Sequence, residues 1–204
     1  MKIAVIGATR GIGLCLVKAA LAEGREVTAL VRDPARMPLK DPRLRIVSGS
    51  AEDAKSAAEL VAGQDVVCNT LGTRNLTGEV RLFSRSAENL AAALQPEQLL
   101  IAVTGIGTGD SKGHGGFLYD RVFMPLVLRR MYADKDRQEQ IIKSRVARWI
   151  IVRPGFLSNG PRTGRMRAVT DLRDVKANRI SRADVADFLL AQATSPEFMV
   201  RLPC

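Results

Sequence analysis

The chain opens with Lys2-Ile3-Ala4-Val5-Ile6-Gly7-Ala8-Thr9-Arg10-Gly11-Ile12-Gly13, and this stretch decides its fold. A short apolar run leads into a glycine-rich turn, and a segment with helical spacing follows. This pattern is typical of a buried strand that turns tightly into a helix whose first N–H groups are free. Those groups and the helix dipole attract a diphosphate, and glycine lets the backbone approach it. The stretch predicts the phosphate-binding turn of a dinucleotide site; the alternative is an ordinary turn without a ligand.

Apolar strands and helices alternate along the rest of the chain. Strands are predicted at residues 2–6, 26–31, 44–47, 65–71, 99–103 and 149–152, with a short last strand at 198–202. Helices are predicted at residues 12–23, 53–62, 80–94, about 117–143 and 184–193, the last with Ser181 as its N-cap. Continuous apolar strands separated by helices indicate a parallel sheet covered on both faces. We therefore expect an α/β fold.

Length and composition indicate one globular domain. The chain has 204 residues, of which 46% are hydrophobic and 25% charged, as in ordinary soluble proteins. No apolar run approaches the length of a membrane span, and the opening run is too short for a signal peptide. Cys15, Cys68 and Cys204 are far apart and form no metal-type pair. We expect no disulfide framework and no metal site, and a reducing cytoplasm fits best.

The net charge of +10 is concentrated in residues 121–182, which hold sixteen Lys and Arg against five Asp and Glu. A basic half of this kind attracts nucleic acid or a membrane surface, or surrounds a polyanionic cofactor and an anionic substrate. Aromatic residues make up only 4% of the chain and form no stacking platform among these charges, which disfavours nucleic acid. We expect a small-molecule partner, no membrane association and a monomer.

Six stretches of sequence carry a resemblance to a known family. They are residues 7–13, 30–33, 61–65, 71–75, 151–155 and 180–186. Over nearly its whole length the chain resembles atypical short-chain dehydrogenase/reductases, and among them the NAD(P)H-binding proteins similar to biliverdin reductase B (flavin reductase) and the NmrA-like proteins. The resemblance implies a nicotinamide cofactor and a single Rossmann-type, three-layer NAD(P)-binding domain over residues 1–204, with a small substrate-side region at about 154–180.

Cofactor-binding residues are expected along the carboxyl ends of the strands, where such sheets bind ligands. This rule and the resemblance together select Gly7, Thr9, Arg10, Gly11, Ile12, Gly13, Arg32, Arg36, Ser50, Leu71, Gly72, Thr73, Thr104 and Pro154. An acidic residue after the second strand favours NAD, whereas a cation there accommodates the 2′-phosphate of NADP. Arg32 stands at that point, with Arg36 and Arg10 nearby, so NADPH is favoured over NADH.

Two positions leave the cofactor assignment open. Asp33 could compete for the ribose or pair with Arg36 instead of leaving that arginine to a phosphate. Members of the resembled family often carry an aspartate that contacts the adenine after the glycine that ends the third strand. This chain has Ser50 there, so either Ser50 or Asp53 is expected to make the adenine contact.

Catalytic residues are harder to identify. The usual chemistry of this superfamily needs a Tyr and a Lys four residues apart on one helix, where the lysine lowers the phenol's pKa. Neither Tyr119 nor Tyr132 has such a lysine, although Lys135, three residues after Tyr132, gives a shifted pair; its alternative is a solvated lysine or a pair with Glu139. Thr104, directly after the fifth strand, would bond substrate or nicotinamide, or else a backbone group.

The glycine-rich stretch 105–116 contains His114, the only histidine, which is either a proton donor or simply exposed. Its glycines suggest a mobile segment that would cover substrate. The acceptor pocket is expected to contain apolar residues and basic residues that neutralise acidic groups. The apolar residues are Phe117, Leu118, Phe156 and Leu157, and the basic residues are Arg74, Arg162, Arg165 and Arg167.

With no strong proton donor, the resemblance implies hydride transfer to a flavin or tetrapyrrole, for which water supplies the proton and the cofactor carries the chemistry. We expect an oxidoreductase: an NADPH-dependent reductase of a small flat acceptor such as a flavin, quinone or tetrapyrrole. A carbonyl reductase or a nucleotide-sugar epimerase is disfavoured by the missing Tyr–Lys pair. The alternative is a non-catalytic NADP(H) sensor, similar to NmrA-like proteins, that binds a protein partner through residues 121–182.

Overall fold

The protein alternates strands and helices, and its computed structural model describes residues 1–73, 78–114, 128–173 and 177–202. The strands are β1 (Lys2–Ile6), β2 (Glu26–Val31), β3 (Leu44–Ser48), β4 (Val66–Asn69), β5 (Leu99–Val103), β6 (Arg148–Val152), β7 (Phe156–Ser158), β8 (Arg179–Ser181) and β9 (Val200–Arg201). The helices are α1 (Gly11–Ala22), α2 (Ala54–Val61), α3 (Leu82–Ala93), α4 (Arg129–Arg145) and α5 (Arg182–Thr194).

Seven of these strands form one sheet in the order β3-β2-β1-β4-β5-β6-β9. The first six pair in parallel, and β9 joins the edge antiparallel through two residue pairs with the start of β6. The strand order reverses between β1 and β4, and this crevice is where ligands bind in open α/β sheets. The predicted Rossmann-type fold is therefore confirmed.

Two apolar layers flank the sheet, because each buried strand has hydrophobic side chains on both faces. In β5, Ile101 faces a core with α1 and α5, while its neighbour Leu100 faces a core with α2, α3 and α4. Both side chains are fully buried. Burying a leucine or isoleucine contributes about 1.5–3 kcal/mol to folding, so these layers fix the positions of the strand ends.

The structure differs from the sequence prediction mainly after β6. The three-residue strands β7 and β8 pair in parallel as a separate small sheet, which the sequence did not reveal because such short, half-exposed strands have no periodic pattern. Helix α4 begins at Arg129 within the described residues; the first part of the predicted 117–143 helix lies outside them. The N-cap at Ser181 is confirmed, since its side chain accepts a hydrogen bond from Asp184 N. Among the described residues, no helix is long and apolar enough to cross a membrane.

Candidate functional site

The glycine turn between β1 and α1 is built by close backbone approach. Gly7 has φ +83°, and a Cβ there would lie 2.7 Å from the carbonyl oxygen of Thr70 at the end of β4. A Cβ at Gly13 would overlap the carbonyl oxygen of Gly7 and lie 2.5 Å from Thr70 Oγ1. Both glycines are thus required by the protein's own packing, which brings the first turn of α1 against the ends of β1 and β4.

Gly11 differs from the other two glycines of the turn. Its φ is +61°, and a Cβ there would meet only the side chain of Arg182, 3.8 Å away. The N-cap position of α1 is Arg10, whose side chain makes no capping hydrogen bond, and the first turn of α1 has no acidic residue. In contrast, Asp53 caps α2 and Ser181 caps α5. Uncapped N–H groups beside open space fit a bound diphosphate.

The three arginines predicted to recognise a 2′-phosphate are exposed. Arg10 precedes α1, while Arg32 and Arg36 follow the neighbouring strand β2, and none of them forms an ion pair with a described residue. Asp33 does not pair with Arg36; its Oδ1 accepts a hydrogen bond from the backbone N–H of Ala35, 3.1 Å away. The guanidinium charges at this edge are therefore available to an anionic ligand.

The predicted adenine contacts lie after β3. Asp53 caps α2, with Oδ2 accepting hydrogen bonds from the backbone N–H and the hydroxyl of Ser56 at 2.8 and 2.6 Å. These bonds lower the pKa of Asp53. A Cβ at Gly49 would overlap the Ser56 hydroxyl, so this glycine is needed for the contact between β3 and α2. Asp53 is engaged in capping, and Ser50 Oγ accepts a hydrogen bond from Glu52 N at 3.2 Å, so each of the two adenine candidates already has a backbone partner.

Residues 71–73 continue from β4 along the same edge. Asn69, which is fully buried, fixes their start: its Nδ2 donates to Ser86 Oγ at 3.1 Å, and its Oδ1 accepts from Leu71 N at 3.3 Å. Gly72 is exposed, and a Cβ there would have no atom of a described residue within 4 Å. Thr73 is half-buried, whereas Arg74 lies outside the described residues. The open space beside Gly72 fits a cofactor that crosses the end of β4.

A buried charge network occupies the end of β5. Thr104 Oγ1 donates to Glu139 Oε1 at 2.8 Å, and Thr108 Oγ1 donates to the same oxygen at 2.6 Å. Arg153, after β6, donates Nε to Glu139 Oε1 at 2.9 Å and Nη2 to Oε2 at 2.6 Å. Its Nη1 also lies 2.6 Å from Asp110 Oδ1. These contacts tie α4, the β5–α4 loop and the end of β6 together.

The network determines the ionisation of Glu139. Burial would raise the pKa of this carboxyl, but hydrogen bonds from Arg153, Thr108 and Thr104 outweigh it and lower the pKa to about 2. Glu139 is therefore a permanent anion, with Lys143 as a second, more distant cation at 3.6 Å. It holds its partners in place and is unsuited to proton transfer near neutral pH.

The three predicted catalytic residues come together at this end of β5. Lys135 Nζ donates to the backbone carbonyl of Thr104 and lies 4.9 Å from the centre of the Phe83 ring. The hydroxyl of Tyr132 lies 3.2 Å from the position of a Cβ on Gly105. Burial lowers the pKa of Lys135 from 10.5 to about 8, against the opposing charge of Glu139. All three residues are less than 9% exposed.

The first half of the predicted mobile loop is buried and fixed. Residues 105–108 are buried, the hydroxyl of Ser111 accepts from Gly107 N, and Gly109 N donates to Asp136 Oδ1 at 2.9 Å. His114, at the loop's described end, is half-buried, and its carbonyl accepts a hydrogen bond from Ala177 N. The described part of the loop is therefore a fixed wall beside β5, not an open flap.

A cavity of about 540 Å³ lies beside β6, between that strand, α5 and residues 165–172. Pro154 and Gly155 line it near the end of β6. Its described lining includes Arg165, Arg167 and Arg179, none of which pairs with a described carboxylate, and it includes no Asp or Glu. The remaining lining is largely apolar, which fits a ligand with an apolar body and an acidic group.

The predicted acceptor residues are only partly brought together. Phe156 is half-buried and Leu157 is 37% exposed, as consecutive residues of β7. Arg162 forms an ion pair with Asp187, 3.0 Å away, whereas Arg165 and Arg167 line the cavity. Phe117 and Leu118 lie outside the described residues.

Sequence reasoning missed Glu139, Arg153, Thr108 and Arg182 as residues of this region. The first three are far apart along the chain, so only the fold joins them. Arg182 had one available signal, because it follows the Ser181 N-cap and so begins a helix that packs against α1.

Comparisons with known proteins agree with this geometry. The profile of a family described as NAD(P)H-binding matches residues 7–196. A Bacillus subtilis (strain 168) protein named "uncharacterized sugar epimerase YhfK" is 27% identical over 197 residues, covering 94% of this chain and 87% of the relative.

Among solved structures, the anaerobilin reductase ChuY of Escherichia coli O157:H7 superposes with a TM-score of 0.77 at 22% identity, covering 96% of this chain and 92% of that one. A wide-type short-chain dehydrogenase/reductase of Veillonella parvula DSM 2008 in complex with NADP superposes with a TM-score of 0.76 at 16% identity, covering 96% and 88%. At these identities the structures establish a shared fold.

Proposed function

Because this chain belongs to the NAD(P)H-binding family, we propose that it is an NADPH-dependent reductase that transfers hydride to a small, flat acceptor such as a flavin, a quinone or a tetrapyrrole-like molecule. The observation that carries the proposal is the edge after β1 and β2, where the uncapped start of α1 lies beside exposed arginines that form no ion pair with a described residue. The proposed setting is a monomer in the cytoplasm with a small-molecule partner.

The preference for NADPH rests on charge. Arg32 and Arg36 follow β2, where a dinucleotide's adenosine ribose lies in folds of this kind, and Asp33 is turned toward the backbone of Ala35. Two guanidinium groups without a competing carboxylate bind a 2′-phosphate through charge-assisted hydrogen bonds. Arg10, at the start of α1, adds a third positive charge to the same edge.

The nicotinamide cofactor supplies the hydride, and this chain's residues bind and orient the cofactor and the acceptor. The first N–H groups of α1 hold the diphosphate, and the open space at Gly72 admits the cofactor past β4. The Glu139–Arg153 network fixes the loop after β5, so that Thr104 and Gly105 keep a constant position. The cavity beside β6, with Arg165 and Arg167, accepts the apolar body and acidic group of the acceptor.

A titration with NADPH and NADH, followed by addition of FMN, menadione or biliverdin while the nicotinamide absorbance is recorded, tests this function. We expect tight NADPH binding and acceptor-dependent NADPH oxidation. The variant Arg32→Ala is expected to weaken the binding of NADPH about tenfold and to leave the binding of NADH unchanged. A tenfold loss corresponds to one lost charge-assisted hydrogen bond. The control Arg145→Ala removes an exposed arginine at the end of α4 and changes neither affinity.

Two results would overturn the proposal. If the protein binds neither NADPH nor NADH, the proposed cofactor site is wrong. Equal losses of NADPH and NADH affinity in Arg32→Ala would remove the assignment of the 2′-phosphate to β2.

One observation favours a second function, an NADP(H) sensor that binds a protein partner. The hydroxyl of Thr104 donates to Glu139, and Lys135 is buried against Thr104, so neither presents a free proton donor. Cofactor binding without turnover for any acceptor, together with capture of a protein through the basic segment of residues 121–182, would support the sensor.

A further inference from the structure

We propose that Arg182 is a cofactor-binding residue that contacts the pyrophosphate across the glycine turn, and so raises the affinity for NADPH and NADH alike. The inference rests on the proposed cofactor site. The first observation is that Arg182 lies close to the glycine turn. Arg182 Nε lies 3.8 Å, and Arg182 Cδ 3.9 Å, from the position that a Cβ on Gly11 would have. Among the described residues, no other atom lies within 4 Å of that position, apart from the chain neighbours and the helix's own backbone.

The packing of α5 against α1 explains how a residue so far along the chain reaches the turn. The two helices share one apolar layer, with Leu16 and Val17 of α1 and Val185 and Leu189 of α5 in the same core. Arg182 is the first residue of α5 and Gly11 the first of α1, so the two helix starts are neighbours. The core therefore sets where the backbone of Arg182 lies, beside the start of α1.

The positive charge around Arg182 favours the binding of an anion. A cation at the first residue of a helix opposes the positive end of that helix's dipole, and Arg182 also faces the uncapped start of α1. Arg182 forms no ion pair with any described carboxylate. The carboxylate nearest in sequence, Asp184, is engaged with Thr163, Gly164 and Ser181, whose hydrogen bonds outweigh burial and lower the pKa of Asp184 to about 2.

One contact orients the side chain. Arg182 Nη1 donates to Asn159 Oδ1 at 2.8 Å, just after β7. This bond uses one of the guanidinium's five N–H donors and leaves Nε, which lies nearest to Gly11, without a protein acceptor among the described residues. A diphosphate at the start of α1 would supply that acceptor, with the planar geometry that arginine matches.

The test compares the affinities of Arg182→Ala and wild type for NADPH and NADH, by fluorescence titration or calorimetry. Loss of a charge-assisted hydrogen bond to the pyrophosphate is expected to weaken both nucleotides by the same factor, about tenfold. Adenosine 2′-monophosphate, which has no pyrophosphate, is expected to bind wild type and Arg182→Ala with the same dissociation constant. Arg182→Lys, which keeps the charge but not the fork, is expected to recover part of the affinity.

Two control variants separate this role from a structural one. Arg145→Ala removes the same charge at the end of α4 and is expected to leave both affinities unchanged. Asn159→Ala removes the other end of the Arg182 contact but keeps the guanidinium, so it is expected to change affinity by less than twofold. Melting temperatures of all variants monitor folding.

The possible outcomes discriminate clearly. Unchanged affinities in Arg182→Ala would overturn the inference, and so would equal losses in Arg182→Ala and Asn159→Ala, which would make the contact a structural tether. A loss confined to NADPH would move Arg182 to the 2′-phosphate and overturn the pyrophosphate assignment. Absence of binding in the wild type would instead overturn the proposed cofactor site itself, and the inference with it.

Discussion

Different kinds of contact hold the two ends of the site. One end follows β1 and β2, and the other follows β5 and β6. The first consists of glycines in close backbone contact, an uncapped helix start, and exposed arginines that form no ion pair with a described residue. The second consists of side chains whose charges satisfy one another, with Glu139 held by Arg153 and two threonines. A backbone-built edge leaves its charges to a ligand, whereas a network of this kind uses its charges to hold the protein's own loop.

The largest effect is expected from removing Glu139, which tests whether the network after β5 holds the protein's own loop. We expect Glu139→Ala to lower the free energy of unfolding by about 3 kcal/mol, because it removes the buried carboxylate that accepts from Thr104 and Thr108 and leaves the half-buried Arg153 with Asp110 as its remaining anion. Urea denaturation measures the change. The matched control is Glu59→Ala, which removes an exposed pair with Arg45 and is expected to cost less than about 0.5 kcal/mol. Similar small losses in both variants would mean that the network after β5 does not hold the loop.

A second prediction concerns the pH dependence of stability. The pKa of Lys135 is about 8 in the folded protein and near 10.5 in the unfolded chain. Between these values the unfolded chain binds more protons, so the free energy of unfolding rises with pH. Relative to Lys135→Met, which has no ionisable group, the wild type is expected to gain about 2 kcal/mol between pH 7 and pH 10.

Urea denaturation of both proteins across that pH range isolates the contribution of Lys135, because all other ionisable groups are shared. Parallel pH profiles for wild type and variant would show that Lys135 is not buried beside Thr104.

The same difference explains what the sequence could predict. The glycine turn, the alternation of strands and helices and the arginines after β2 depend on residues close together in sequence, so spacing revealed them. Glu139, Arg153 and Thr108 meet only through tertiary structure, and Glu139, four residues after Lys135 on one helix, suggested no more than a surface pair. The strands β7 and β8 are three residues long and half-exposed, which leaves no pattern to detect. The role of Arg182 needed the packing of α5 against α1.

The smallest expected effect sharpens the comparison on the cofactor side. Gly72 has an ordinary φ and open space around its missing Cβ, so Gly72→Ala is expected to leave the free energy of unfolding unchanged or raise it by about 0.5 kcal/mol. If the cofactor crosses the end of β4, the same methyl group is expected to weaken NADPH about threefold, measured by fluorescence titration. Gly160→Ala, also at an ordinary φ, is the control with unchanged affinity. Opposite signs for stability and affinity would show that this space belongs to the ligand, whereas unchanged affinity would place the cofactor away from Gly72.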